Sequence, residues 1–152
     1  MIQRIQSVYL FIVTVLLVMA LCMPVGQFIA ADGVTIHTFK PLGITLADGS
    51  SVSTWGMFGI LLLNALIALC TIFLYRNRML QVRMTVFNII LLLGYYVVFG
   101  AFLFALKSEL VGTDFQIGWA LCLPAICIIL NYLAFRAIYR DEIMVKAADR
   151  LR

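Results

Sequence analysis

The sequence predicts an all-α integral membrane protein: four transmembrane helices in an antiparallel bundle, both termini cytoplasmic, with a small β-hairpin in the first outer loop. Three observations predict it. Hydrophobic residues make up 64% of the 152 residues and charged residues 12%, against roughly 45–50% and 25% in soluble domains. The apolar residues gather into four long runs that hold no Asp, Glu, Lys, Arg or His. The basic residues gather at the ends of those runs, on alternate loops. A chain of this length has room for a single domain, 1–152.

The first span is read as 5–23. Arg4 precedes it, and the run is broken only by Gln6, Ser7 and Thr14. A cleaved secretory signal has an apolar core of about 7–15 residues and small residues at its cleavage site. This run is longer, and Leu21 stands where a lipoprotein-type site needs a small residue, so the segment is expected to be an uncleaved anchor. Pro24 and Gly26 end the helix. An outer loop follows, 24–54. Val34 to Phe39 alternates with period two, and Ile44–Ala47 and Ser50–Ser53 flank an Asp48-Gly49 turn, which reads as a hairpin. An isolated hairpin is marginal in water, so this one is expected to lean on the helix ends.

The second span is 55–75, with Trp55 and Tyr75 as interfacial anchors. A basic turn carries Arg76, Arg78 and Arg83 into the third span, 84–106. At 1.5 Å per residue that run is long enough for a hydrocarbon core of about 30 Å. Lys107 to Gln116 reads as a short outer loop. The fourth span is 117–135, and Pro124 within it is expected to remove a hydrogen bond and kink the helix. The remainder, 136–152, reads as a cytoplasmic C-terminal helix with Glu142 and Lys146 in the favourable i, i+4 order. Its loosely apolar side, Ile138, Met144, Ala148 and Leu151, suits a membrane surface or a partner; a solvated extension is the alternative.

Charge orients the chain. Nine of the eleven Lys and Arg (Arg4, Arg76, Arg78, Arg83, Arg136, Arg140, Lys146, Arg150 and Arg152) fall on one side, with only Lys40 and Lys107 on the other. Basic residues are retained on the cytoplasmic side during insertion, which predicts N-in and C-in. The net charge of +4 does not point to nucleic acid, because the basic residues flank apolar runs and form no stripe. Orientation or contact with anionic headgroups accounts for it.

The search for chemistry returns little. Proton-coupled transport needs an ionisable group in the membrane, and the spans contain none. Cys22, Cys70, Cys122 and Cys127 lie in apolar runs without a C-x-x-C pair and read as packing residues; Cys22 and Cys122 are the only weak pair for a bridge. The single His37 is expected to face solvent, and it matches no haem, zinc or nucleophile pattern. Asp32, Asp48, Glu109 and Asp114 share the outer side without metal-loop spacing. No catalytic, cofactor-binding or metal-binding residue is assigned, and no cofactor is expected.

Asn64, Asn88 and Asn131, with Thr14, Thr71, Tyr95 and Tyr96, are the polar residues within the spans. A lone amide in hydrocarbon is costly, so each Asn is expected to meet another helix, a water or a partner chain. Interhelical hydrogen bonding is the simpler reading and a ligand path the bolder one. Gly56 with Gly59, and Gly94 with Gly100, would permit close helix contact without forming G-x-x-x-G. The cluster Tyr95, Tyr96, Phe99, Phe102 and Phe104 is explained by lipid contact and packing.

Two motifs stand out: Met1-Ile2-Gln3-Arg4-Ile5-Gln6-Ser7-Val8-Tyr9-Leu10 at the start, and the paired basic segments Ile72–Arg83 and Arg136–Glu142, closed by Ala148-Asp149-Arg150-Leu151-Arg152. Together they resemble a family of small four-span bacterial inner-membrane proteins catalogued as a domain of unknown function. The resemblance covers nearly the whole chain. It implies the fold and a bacterial inner-membrane location, and it transfers no activity.

Both basic segments fall on the cytoplasmic side. Arg76, Asn77, Arg78, Gln81 and Arg83, with Arg136, Arg140, Asp141, Glu142, Asp149 and Arg150, are therefore expected to form one charged surface. That surface either ties helix ends together through Arg–carboxylate pairs or docks another inner-membrane subunit. The leading expectation is a non-catalytic accessory or scaffold subunit of a larger inner-membrane complex, in contact with the lipid bilayer and other protein subunits. The second is a small homo-oligomeric carrier or channel lined by Asn64, Asn88 and Asn131. The third is a lipid-modifying enzyme using Asp32, Asp48, Glu109 or His37.

Overall fold

A computed structural model describes residues 2–46, 49–109 and 112–151, with backbone alone for 2–4 and 109. Four helices are long and apolar enough to cross a membrane. They are α1 (Ile2–Cys22), α2 (Trp55–Phe73), α3 (Arg78–Glu109) and α4 (Cys122–Arg150). α1 and α3 each pack against both α2 and α4, so the helices stand at the corners of a square in chain order. Their outer faces expose large apolar side chains, Phe11, Leu66, Ile90, Val97 and Ile129 among them. An apolar surface of that extent on every helix is what contact with lipid requires.

The fold is not all-α. Five strands form one antiparallel sheet at one end of the bundle, in the order β4-β3-β2-β1-β5. They are β1 (Gly26–Ala30), β2 (Ile36–Lys40), β3 (Gly43–Thr45), β4 (Ser51–Ser53) and β5 (Thr113–Ile117). β3 and β4 pair antiparallel, Thr45 opposite Ser51, where the sequence predicts a hairpin. The Asp48 of its expected turn, with Ala47, lies outside the described residues. The sheet, however, extends well beyond a hairpin. β5 arises from the stretch read as a short outer loop, and it pairs with β1 so that Phe28 faces Phe115.

The sheet leans on the bundle through aromatic rings. Phe28 and Phe39 are buried, with ring centroids 4.8 Å apart for Phe28–Phe115 and 5.9 Å for the stacked pair Phe39–Phe99. Phe99 belongs to α3, whose length of about 48 Å at 1.5 Å per residue carries its last turns up to the strands. The seam between β1 and β5 is close. A Cβ on Gly118 would stand 2.7 Å from the Val25 carbonyl oxygen, and one on Gly26 2.5 Å from the Phe115 ring. Gly118 donates its amide to that same oxygen at 2.9 Å. At the start of α2, the fully buried Thr54 hydroxyl donates to the Pro41 carbonyl at 3.0 Å and fastens the helix to the sheet.

Other expectations are corrected. α3 begins at Arg78, so Arg78 to Arg83 form its first turns and only a short 3-10 turn, Leu74–Arg76, separates it from α2. α4 begins at Cys122 rather than at 117, after β5 and a 3-10 turn at Trp119–Leu121. Pro124 is therefore the third residue of α4, where backbone N–H groups have no intrahelical acceptor, so it costs no hydrogen bond and interrupts nothing. Gly56, Gly59, Gly94 and Gly100 make no close helix contact, since a Cβ at each would meet nothing within 4 Å. His37 is not solvent-facing. It is 7% exposed, on the same buried face of the sheet as Phe39 and opposite Phe28.

Candidate functional site

The buried positions of every helix recur at alternating steps of three and four, the seam of antiparallel coiled-coil packing. α1 buries Gln6, Leu10, Val13, Leu17 and Ala20; α2 buries Met57, Leu61, Asn64, Ala68 and Thr71. α3 buries Gln81, Thr85, Asn88, Leu92 and Tyr95; α4 buries Pro124, Cys127, Asn131, Ala134 and Ile138. The Cys127 thiol approaches the Val13 carbonyl at 3.8 Å and sets α4 against α1. Each of α2, α3 and α4 buries one asparagine on its inward seam: Asn64, Asn88 and Asn131.

The other buried seam positions are either apolar, Leu17, Leu61, Leu92 and Cys127 among them, or polar, as are Gln6, Thr71, Gln81 and Thr85. Thr71 and Thr85 satisfy their hydroxyls on carbonyls one turn back, at 2.6 and 2.8 Å. Asn64 donates its amide to the Ile60 carbonyl at 2.8 Å. The Asn64 carbonyl oxygen, both polar atoms of Asn88 and of Asn131, and the Gln6 amide nitrogen are buried without a protein partner among the described residues. An unsatisfied buried polar group costs about 1–3 kcal/mol. The arrangement can bind water or another neutral hydrogen-bonding molecule. None of these buried seam positions carries a charged side chain.

The second cluster lies at the end of the bundle away from the sheet, and the extension of α4 divides it into two grooves. One, of about 600 Å³, brings together Arg76, Asn77, Arg78 and Arg83 with Glu142, Lys146 and Asp149. The chain can present this set because the 3-10 turn ends at Asn77, whose carbonyl receives the Gln81 amide at 3.0 Å and opens α3. The other groove, of about 390 Å³, lies between the start of α1 and α4 and is lined by Arg136, Arg140 and Asp141 among apolar neighbours. Arg150 is exposed near the end of α4. Gln81 does not join this surface; it is 3% exposed and belongs to the core.

Arg78 joins the two parts of the surface. Its guanidinium stands 3.1 Å from the Asp141 carboxylate, and the two facing atoms are hidden from solvent although they lack hydrogen-bond alignment. The pair ties the first turn of α3 to the extension of α4. Lys146 and Glu142 pair at 2.9 Å along α4.

At the sheet end, Asp32 and Asp114 are exposed, while Asp48 and the side chain of Glu109 lie outside the described residues. Among the described residues His, Cys, Asp and Glu form no group of three that could hold a metal. The four cysteines are unbridged; Cys127 is buried in the core, whereas Cys22, Cys70 and Cys122 are exposed. The contribution of Gln6 and Thr85 to the polar core was not anticipated from sequence, although Gln6 stands seven residues before Val13 and Thr85 three before Asn88, spacings that keep each on its helix's buried seam.

No curated protein matches the chain. A family described as Domain of unknown function (DUF4293) matches residues 2–151.

Proposed function

The chain belongs to the DUF4293 family, and on that premise we propose that it is a non-catalytic accessory or scaffold subunit of a larger complex in a bacterial inner membrane. In this reading four helices cross the bilayer, both termini are cytoplasmic, and the sheet lies on the outer face. The bias of Lys and Arg toward the end that holds the α2–α3 turn and the α4 extension supports that orientation. The observation that carries the function is the groove of Arg76, Asn77, Arg78 and Arg83 facing Glu142, Lys146 and Asp149. Side chains of both signs, several of them open to solvent, suit a partner of matching charge pattern, and such complementarity sets specificity.

The test is purification of the tagged full chain from its native membrane in a mild detergent, beside an Arg76→Glu/Arg83→Glu variant. A stoichiometric membrane protein that accompanies the native chain and is lost from the variant supports the proposal. A partner-free particle from the native membrane removes it.

A second reading, a small homo-oligomeric carrier or channel, is favoured by the buried asparagines with their unpartnered atoms. Cysteine placed at 64, 88 or 131 in a background without native cysteines would react with a water-borne thiol reagent in that case. Complete protection at all three positions ends it.

A further inference from the structure

The groove between α1 and α4 has a different chemistry from the one beside it. Its walls are Ile5, Tyr9, Leu133, Ala137 and Met144, and its charged rim is Arg136, Arg140 and Asp141. Arg136 and Arg140 are i, i+4 on α4, so both guanidinium groups reach the same face, one turn apart. Both are exposed, and neither has a carboxylate within ion-pair distance among the described residues. The one acidic group on the rim, Asp141, is already engaged by Arg78 at 3.1 Å. The groove therefore offers two free cationic groups over an apolar floor.

Its position along the helices matches that division. Leu133 belongs to the uncharged part of α4 and Arg136 is the first charge after it, while Ile5 and Tyr9 open the apolar stretch of α1. The groove straddles the border between the apolar band and the charged end.

We propose that this groove binds one anionic phospholipid, with its phosphodiester between Arg136 and Arg140 and its acyl chains along Ile5, Tyr9 and Leu133. Arginine presents planar donors suited to phosphate oxygens. Basic pockets between helices at the cytoplasmic border of a membrane take anionic headgroups in this way. A zwitterionic headgroup fits less well, because its ammonium finds no free carboxylate here. The proposal rests on the membrane-crossing part of the reading above and not on the accessory-subunit part.

The test is native mass spectrometry of the full chain in a non-ionic detergent. Phosphatidylglycerol is titrated against phosphatidylcholine of identical chains. The native protein is expected to retain phosphatidylglycerol preferentially. Arg136→Gln/Arg140→Gln is expected to weaken that retention about tenfold or more, whereas Arg76→Gln/Arg83→Gln in the neighbouring groove leaves it unchanged. Ala137→Trp keeps both charges, fills the groove and is expected to reduce retention as well, which separates a site from diffuse attraction. Equal retention of the two lipids by the native protein overturns the proposal, as does full displacement by inorganic phosphate, which would mark a simple anion site. Loss of phosphatidylglycerol with partner capture intact would leave the accessory reading standing, and the converse would leave the lipid site standing.

Discussion

The two ends of the bundle are built on opposite principles. At the sheet end Phe28 and Phe39 are buried, Phe115 and Phe99 close around them, and Gly26 and Gly118 let β1 and β5 approach more closely than any side chain allows. At the other end the described residues leave two open grooves lined by arginines, joined by a single partly hidden ion pair. Close packing of apolar groups stabilises a fold; exposed charge contributes little to stability and much to recognition. On this comparison the sheet end is built for stability, and the charged end is where the proposed partner and lipid would bind.

Substitutions at the two ends test that assignment, with thermal or denaturant unfolding in detergent as the common measurement. Phe39→Ala removes a fully buried ring and is expected to cost about 3–5 kcal/mol. The same truncation at Phe104, which is 80% exposed, should leave stability in detergent nearly unchanged. Equal losses at the two positions would show that burial against the sheet is not what stabilises this end. Gly118→Ala drives a methyl against the Val25 carbonyl and is expected to cost about 1–3 kcal/mol, with loss of β1–β5 amide protection in hydrogen exchange.

At the charged end the effects shrink. A double-mutant cycle of Arg78→Ala and Asp141→Ala should return a coupling of about 1 kcal/mol, since the pair is only partly hidden. A coupling several times larger would show that this end, too, is organised for stability. Lys146→Ala is expected to change stability by no more than about 0.5 kcal/mol, because its partner Glu142 is an i, i+4 neighbour and the lysine is mostly solvated. If the proposed partner docks in this groove, the larger effect of Lys146→Ala is expected in partner capture.

How much could be read beforehand follows from where the signals reside. The four helices were legible because each contains a long apolar run without a charge, a property of consecutive residues. The pairing of Glu142 with Lys146 was legible for the same reason. β5 was not. Thr113–Ile117 is short, lacks an apolar run and becomes a strand only when β1 supplies hydrogen-bond partners from far along the chain. The burial of His37 was equally hidden, since only pairing with β1 decides which side of β2 meets the aromatic rings.

The helix seams show the limit from another side. In a soluble helix a polar face marks what lies outside; here Leu61 in the core and Leu62 on the surface are the same residue type. Lipid and core are similarly apolar, so hydrophobic pattern does not separate them. Gln81 illustrates the cost: its basic neighbours in the chain place it on the surface, and the helix phase turns it inward.

Composition and the order of apolar and basic stretches by themselves determined four helices able to cross a membrane, with Arg76–Arg83 and Arg136–Arg150 gathered at one end. Those features depend on local solvation preference, which each stretch expresses without its neighbours. Tertiary structure alone decided the five-stranded sheet, the inward burial of Asn64, Asn88 and Asn131, and the division of the arginines between two grooves. Each of these depends on which face of one element meets another, and that is set by packing between segments distant in the chain.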